Sequence, residues 1–387
     1  MRVLMVSTEY PPMNGGVGRY TANLVAALRK LGTEVYVICN DAGKGDIDGI
    51  SPKNQHNSEV LFQTVDEIHP DLVHIQYEPG MYGLLIDPKN PRNSGTYIDS
   101  FYKKSNVPIV TTFHTAYNLK QWMSQANLIK KSGRTKQLGI PLRFLIRFWK
   151  YSLNYKAFQN LNREKLAMSK AGIVFSHYMH NLIGGGTIIY HGADSHIPSI
   201  PDKKDARAFF SLPTDKRIAL ALGFKTESKG WDILNKIKIP EGWKIVINSS
   251  KSHYNKENYD ITNMIGNNPN IIDIQKGYLN DKELSMLFYS SDVVLLPYKV
   301  TAASGVMFDS LAHGVPFISS DLGFFKEFSE QGLGITSKRT GNGFSNAIKK
   351  LDKDYDKYAK KANDFKKMLS WDSVAKKHQT LYADAVS

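Results

Sequence analysis

The stretch 293–320 limits what this chain can fold into more than any other. Val293–Leu296 is a continuous apolar run, as expected of a strand covered on both faces. Ser304 suits a helix N-cap, and Gly305 lets the backbone come close to a ligand. Leu311 and Ala312 continue that helix, and Gly314 suits the position just past its end. Residues 315–319 read as the next strand. The order strand, turn, helix, strand puts a helix N-terminus just beyond the carboxyl end of a parallel strand. Its unpaired N–H groups and its dipole suit a phosphate.

At 387 residues the chain is long enough for two domains of ordinary size. Its single cysteine, Cys39, stands in a predicted strand, so an intrachain disulfide or a cysteine-based metal site is ruled out and a reducing compartment fits. No apolar run approaches the roughly 18 residues of a membrane-spanning helix. The opening run, residues 2–7, is too short for a signal peptide and reads as a buried strand. The formal net charge of +14 points to anionic partners, with nucleic acid and an anionic membrane surface as candidates.

After the first strand comes a turn-rich loop containing Gly15, Gly16 and Gly18, then a helix over 17–31 with Tyr20, Leu24, Leu28 and Leu31 on one face and Gly32 closing it. A second strand follows over 34–39. This is a Rossmann-like strand, glycine loop, helix, strand unit, although the spacing does not fit Gly-x-Gly-x-x-Gly. Residues 71–78 form the next strand, and in an open parallel sheet the polar residues at its carboxyl end point into a ligand crevice. His74, Gln76 and Glu78 are therefore candidates to line that crevice, with a satisfied buried histidine the competing reading for His74. A strand over 109–113 leads directly into His114. Further strands are expected at 172–175 and 187–190, and Pro198 and Pro201 mark a linker. The second half carries strands at 217–222, 244–248 and 271–275, a loop from Gly223 to Gly230 with Lys229 at a helix start, charged helices over 341–368 and a last helix from Trp371.

Together these features resemble glycosyltransferase family 4, retaining nucleotide-sugar transferases of the GT-B fold. The resemblance is carried by Pro297-Tyr298, Ser304-Gly305-Val306, Ala312-His313-Gly314-Val315-Pro316 and Ser319-Ser320-Asp321. The loop Gly223-Phe224 to Lys229-Gly230 looks like the family's Gly-(Arg or Phe)-x-x-x-x-Lys-Gly, and residues 71–76 are similar to its Asp-Val-Val-His-x-Gln. The family core usually carries two Glu residues eight positions apart, where this chain has Thr301 and Asp309. The implied architecture is α/β, with two Rossmann-like domains whose parallel sheets face a central crevice. An acceptor-side domain over 1–198, completed by a C-terminal helix over 371–387 that crosses back, would precede a donor-binding domain over 199–370.

The resemblance also implies roles. His114 would position the reacting sugar, Lys229 would neutralise the leaving diphosphate, and Asp309 would hold the donor ribose. Gly15, Gly16, Lys225, Tyr278, Leu279, Thr301, Ser304, Gly305 and Val306 would contact the donor. No metal or separate cofactor is implied; the nucleotide sugar, UDP- or GDP-linked, is a substrate. The segment 120–165 has eleven Lys or Arg and one acid, Glu164, with Trp122, Phe144, Phe148 and Trp149 interleaved. Its part from Pro141 to Asn160 reads either as a basic amphipathic helix for an anionic membrane or as a solvated basic face over an ordinary core stripe. No recognised nucleic-acid module surrounds it, so nucleic acid is set aside. The expectation is a metal-independent, retaining, cytoplasmic hexosyltransferase, peripheral on the membrane, acting on a glycan or lipid-linked hydroxyl. A nucleotide-sugar 2-epimerase and a non-catalytic glycosyltransferase-like subunit are the alternatives.

Overall fold

A computed structural model describes residues 1–87, 90, 93–129, 140–251, 253, 260–266 and 268–387, without the side chains of 125–129, 140–148, 150 and 151. The expectation for Arg143, Arg147 and Lys150 in the basic segment therefore lies outside the described residues. The chain divides into two units, Met1–Tyr190 with Val374–Ser387, and His191–Ser373.

The first unit runs β1 (Arg2–Val6), α1 (Gly16–Lys30), β2 (Glu34–Ile38), α2 (Asn57–Ile68), β3 (Leu72–Tyr77), α3 (Asp99–Lys104), β4 (Ile109–Phe113), α4 (Leu119–Ile129), α5 (Ile140–Met168), β5 (Ala171–Val174), α6 (His177–Ile183) and β6 (Thr187–Ile188). Its six strands are all parallel, in the order β2-β1-β3-β4-β5-β6. Every residue of β3 is buried, His74 and Gln76 included, because helices cover both faces of a parallel sheet. Tyr20, Leu24 and Leu28 form the buried stripe of α1, and Gly32, at φ 84°, ends the helix in a conformation that suits glycine.

The second unit runs α7 (Lys203–Ala208), β7 (Arg217–Phe224), β8 (Trp243–Ser250), α8 (Thr262–Ile265), β9 (Ile271–Asp273), α9 (Asp281–Tyr289), β10 (Val293–Leu296), α10 (Gly305–Ala312), β11 (Phe317–Ser320), α11 (Gly323–Glu330), β12 (Gly334–Ser337), α12 (Gly341–Lys353) and α13 (Tyr355–Phe365). Its sheet is parallel too, in the order β12-β11-β10-β7-β8-β9. Trp231, Leu234, Ile245, Leu295, Ile318, Phe344 and Ile348 belong to one buried cluster against this sheet. Each large apolar side chain so buried contributes about 1.5–3 kcal/mol of transfer free energy.

The last helix, α14 (Trp371–Val386), groups with the first unit from Val374 onward. Gln379 there donates through Nε2 to the Leu31 carbonyl at 3.2 Å and to Thr33 Oγ1 at 2.8 Å. Two expectations need correction. The strand at 271–275 stops at Asp273, because Gln275 adopts φ 48° and leaves the sheet. The helix start at Lys229 is instead two 3₁₀ segments, Glu227–Lys229 and Trp231–Lys236, interrupted by Gly230 at φ 74°. Among the described residues, no helix is long and apolar enough to cross a membrane.

Candidate active site

In an open parallel sheet, ligands bind outside the carboxyl ends of the strands where the strand order reverses. In the second unit that place lies between β7 and β10. The loop after β7 carries Lys225 and Lys229, and the Lys229 Nζ sits 3.9 Å from the centroid of the Tyr298 ring, just past β10. Such a cation–π contact holds an ammonium without neutralising it. A Cβ on Gly230 would lie 1.9 Å from the Pro297 carbonyl oxygen, so only glycine lets the two loops meet. Charged groups then tie them. Lys299 Nζ is 2.8 Å from Glu227 Oε1 and 3.6 Å from Asp232 Oδ1. Arg339 pairs with Asp232 and donates through Nε to the Pro297 carbonyl at 2.9 Å. Sequence reasoning missed Arg339. It lies in an unremarkable Lys-Arg-Thr run after β12, and no motif marks it.

Beyond β10, Ser304 caps α10 by accepting the Met307 N–H at 3.2 Å. The first turn of α10 contains no acidic residue. Gly305 approaches the His191 ring, which stacks on Phe308 at 5.6 Å and 6°. Asp309 is 5 % exposed and sits within α10. Thr301, also buried, donates its hydroxyl to the Ala303 carbonyl, a bond that shapes the turn before Ser304. Tyr278 is exposed and lies flat over Phe224, at 6.3 Å and 15°. Its loop is held by Asn248, which donates to the Gly277 carbonyl at 2.8 Å and accepts from the Lys276 N–H at 3.1 Å. Leu279 is buried behind it. The second unit thus brings together Lys225, Lys229, Tyr278, Leu279, Thr301, Ser304, Gly305, Val306 and Asp309 along one edge of its sheet. The edge suits an anion at the loops and α10, and a flat ring at Tyr278.

In the first unit the order reverses between β1 and β3. Glu9, just past β1, is buried and places its carboxylate at the start of α1, where Oε2 accepts the Gly18 N–H at 2.9 Å. A Cβ on Gly15 would sit 1.7 Å from that carboxyl group, whereas one on Gly16 would meet nothing within 4 Å. Gly15 is therefore required by Glu9, and Gly16 borders open space. Past β3, Glu78 accepts the Met81 N–H at 3.1 Å and the Thr115 hydroxyl at 3.4 Å. Burial holds its carboxyl group above the ordinary value, and the nearby Glu9 carboxylate adds to this. His114 is half-buried and donates through Nε2 to Gln76 Oε1 at 2.9 Å, with Tyr20 and Phe175 edge-on to its ring. His74 is fully buried with both ring nitrogens partnered, so it belongs to the interior and does not reach a ligand. Glu9 escaped the sequence reading because nothing local pairs it with the glycines that follow.

Several solved structures share this architecture. The sucrose-phosphate synthase of Thermosynechococcus elongatus superposes with a TM-score of 0.70 at 15 % identity, over 99 % of this chain and 98 % of that one. HepE of Anabaena, solved with UDP and glucose, gives 0.65 at 15 % identity over 99 % and 100 %. WaaG, a glycosyltransferase involved in lipopolysaccharide biosynthesis, gives 0.59 at 14 % identity over 97 % and 98 %. The fold is that of the GT-B glycosyltransferases. Residues 14–194 match the model of Glycosyltransferase Family 4, the family that the motifs resemble. No curated protein matches the chain in sequence.

Proposed function

We propose that this chain is a retaining hexosyltransferase that moves a sugar from a nucleoside diphosphate sugar to a hydroxyl of a glycan or lipid-linked acceptor. The observation that carries the reading is the cationic edge of the second unit, Lys229 on its Tyr298 platform together with the N-terminus of α10. The bond between the sugar's anomeric carbon and the phosphate oxygen breaks. A new bond to the acceptor oxygen forms on the same face, and the acceptor proton passes to the departing phosphate. Lys229 and the N–H groups around Ser304, Gly305 and Val306 take up the charge that develops on the diphosphate. Asp309 holds the ribose hydroxyls, Tyr278 stacks on the base, and His114 positions the sugar. Neither step assigns a role to a metal.

The neighbours solved with UDP and glucose support a UDP-sugar donor, with GDP-sugars as the rival. Thermal shift and slow nucleotide release with a panel of UDP-, GDP- and ADP-sugars test this. One stabilising donor that is slowly hydrolysed is the expected outcome, and no binding to any of them would overturn it. Thr301 and Phe224, in place of the family's acidic and basic residues, favour a second reading as a non-catalytic subunit; binding without turnover, with or without a supplied acceptor, would select it. We further propose a cytoplasmic protein docked on anionic membrane through 120–165. Sedimentation with anionic vesicles should fall when Arg143, Arg147 and Lys150 are neutralised, and unchanged sedimentation would refute docking there.

A further inference from the structure

A continuous buried hydrogen-bond chain leads from His114 to the C-terminal helix. His114 Nε2 lies 2.9 Å from Gln76 Oε1. Gln76 Nε2 lies 3.3 Å from His74 Nε2 and 3.1 Å from Met5 Sδ. His74 Nδ1 lies 2.6 Å from the Tyr382 hydroxyl on α14, and His74 Nε2 lies 2.7 Å from Thr112 Oγ1. Gln76, His74, Thr112 and Tyr382 are all fully buried.

The chain has one choice of direction, set by the way the Gln76 amide faces. A thioether sulfur can only accept, so Met5 takes an N–H and thereby fixes the amide. The other N–H of Gln76 then donates to His74 Nε2. That nitrogen must be the bare one, so His74 carries its proton on Nδ1 and donates it to Tyr382. At the near end, Gln76 Oε1 can only accept, so His114 must donate from Nε2. Every bond points the same way, and neighbouring bonds of such a chain polarise one another.

We infer that Gln76 is a positioning residue that fixes His114 as its Nε2–H tautomer, with Tyr382 as the remote anchor. The inference rests on the transferase reading for its consequence. The consequence is that the His114 ring is held in one orientation towards the sugar that this reading assigns to it. Nothing local in the sequence announces this, since Gln76 and His114 stand 38 positions apart and His74 and Tyr382 stand 308 apart.

Nitrogen-edited NMR of the histidine side chains tests it, with His114→Asn to assign the signal. The expected wild-type pattern for His114 is that of a neutral Nε2–H ring. Gln76→Leu should mix the tautomers and lower kcat by about tenfold or more, with donor KM changed by less than about twofold. Gln76→Glu, which still accepts from Nε2, should keep the pattern, and Tyr382→Phe should change it less than Gln76→Leu. An Nδ1–H pattern in the wild type would overturn the inference, as would an unchanged pattern in Gln76→Leu. A changed tautomer with unchanged kcat would overturn the positioning role. The NMR pattern needs no turnover, so an inactive wild type with an Nε2–H ring would count against the transferase reading and leave the tautomer assignment standing.

Discussion

The two units have six parallel strands each and place polar residues at the same kind of position, the carboxyl edge where strand order reverses. What stands there differs. In the first unit, Glu9 takes the N-terminus of α1 and the half-buried Glu78 lies close enough to feel its charge, while His114 hangs on a hydrogen-bond chain. In the second, Lys225, Lys229, Lys299 and Arg339 crowd the loops, and the first turn of α10, capped by Ser304, contains no acidic residue. The architecture supplies the place, and a few side chains decide the sign of the ligand it suits. On the proposed function, the first edge would take hydroxyls and the second phosphates.

Two ion pairs, one in each unit, differ in how deeply they are buried, and the largest expected effect tests that. Lys165 is fully buried in the first unit, its Nζ 2.9 Å from Asp99 Oδ1 and 5.3 Å over the Tyr102 ring. Asp99→Ala would leave that ammonium unpaired in the interior and should cost about 3–5 kcal/mol of stability in urea unfolding. Lys299 and Glu227 in the second unit are 20 % and 37 % exposed, so Glu227→Ala should cost less than about 1 kcal/mol. Equal losses would break the contrast.

Next comes the chemistry. Lys229→Ala should lower turnover by about 10²–10³, as for other groups that stabilise a departing oxyanion, with the melting temperature little changed. Retained turnover would remove the cationic edge from the mechanism.

Acid should act on the first unit. Burial pushes His378 down to about 4 and holds His74 well below its ordinary value. As the pH falls below about 6.5, the unfolded chain takes up protons that these folded rings refuse. Stability therefore fades from there towards pH 4 and is intact above that window. His378 alone should account for about 3 kcal/mol across it. Glu78, whose pKa is raised, works with the opposite sign. Denaturation at pH 7.5 and pH 5 should show the loss, and His378→Gln should flatten it. The smallest effect is at the aromatic platform. Tyr278→Ala should weaken donor binding by about tenfold, the size of one lost base-stacking contact, without changing kcat. A fall in kcat alone would show that Tyr278 does not hold the base.

Much of the scaffold was legible because its signals are local. The apolar run of β10, the Ser304 cap and Gly314 at φ 72° lie within a few residues of the bonds they make. The same holds for the stripe of α1 and for Lys229 in its glycine loop. Where a local signal misled, a left-handed residue intervened, as Gly230 did for the helix expected at Lys229.

The sequence by itself therefore determined two α/β halves, most of their strand and helix sites, and the polar and glycine residues at the start of α10. Backbone hydrogen bonding and hydrophobic period act over a few residues and leave a readable trace. Only the tertiary structure decided that Glu9 fills the start of α1, that Arg339 pairs with Asp232 across 107 positions, and that Tyr382 reaches His74. Those partners meet because buried polar groups must be satisfied, and packing brings together groups that no sequence spacing relates.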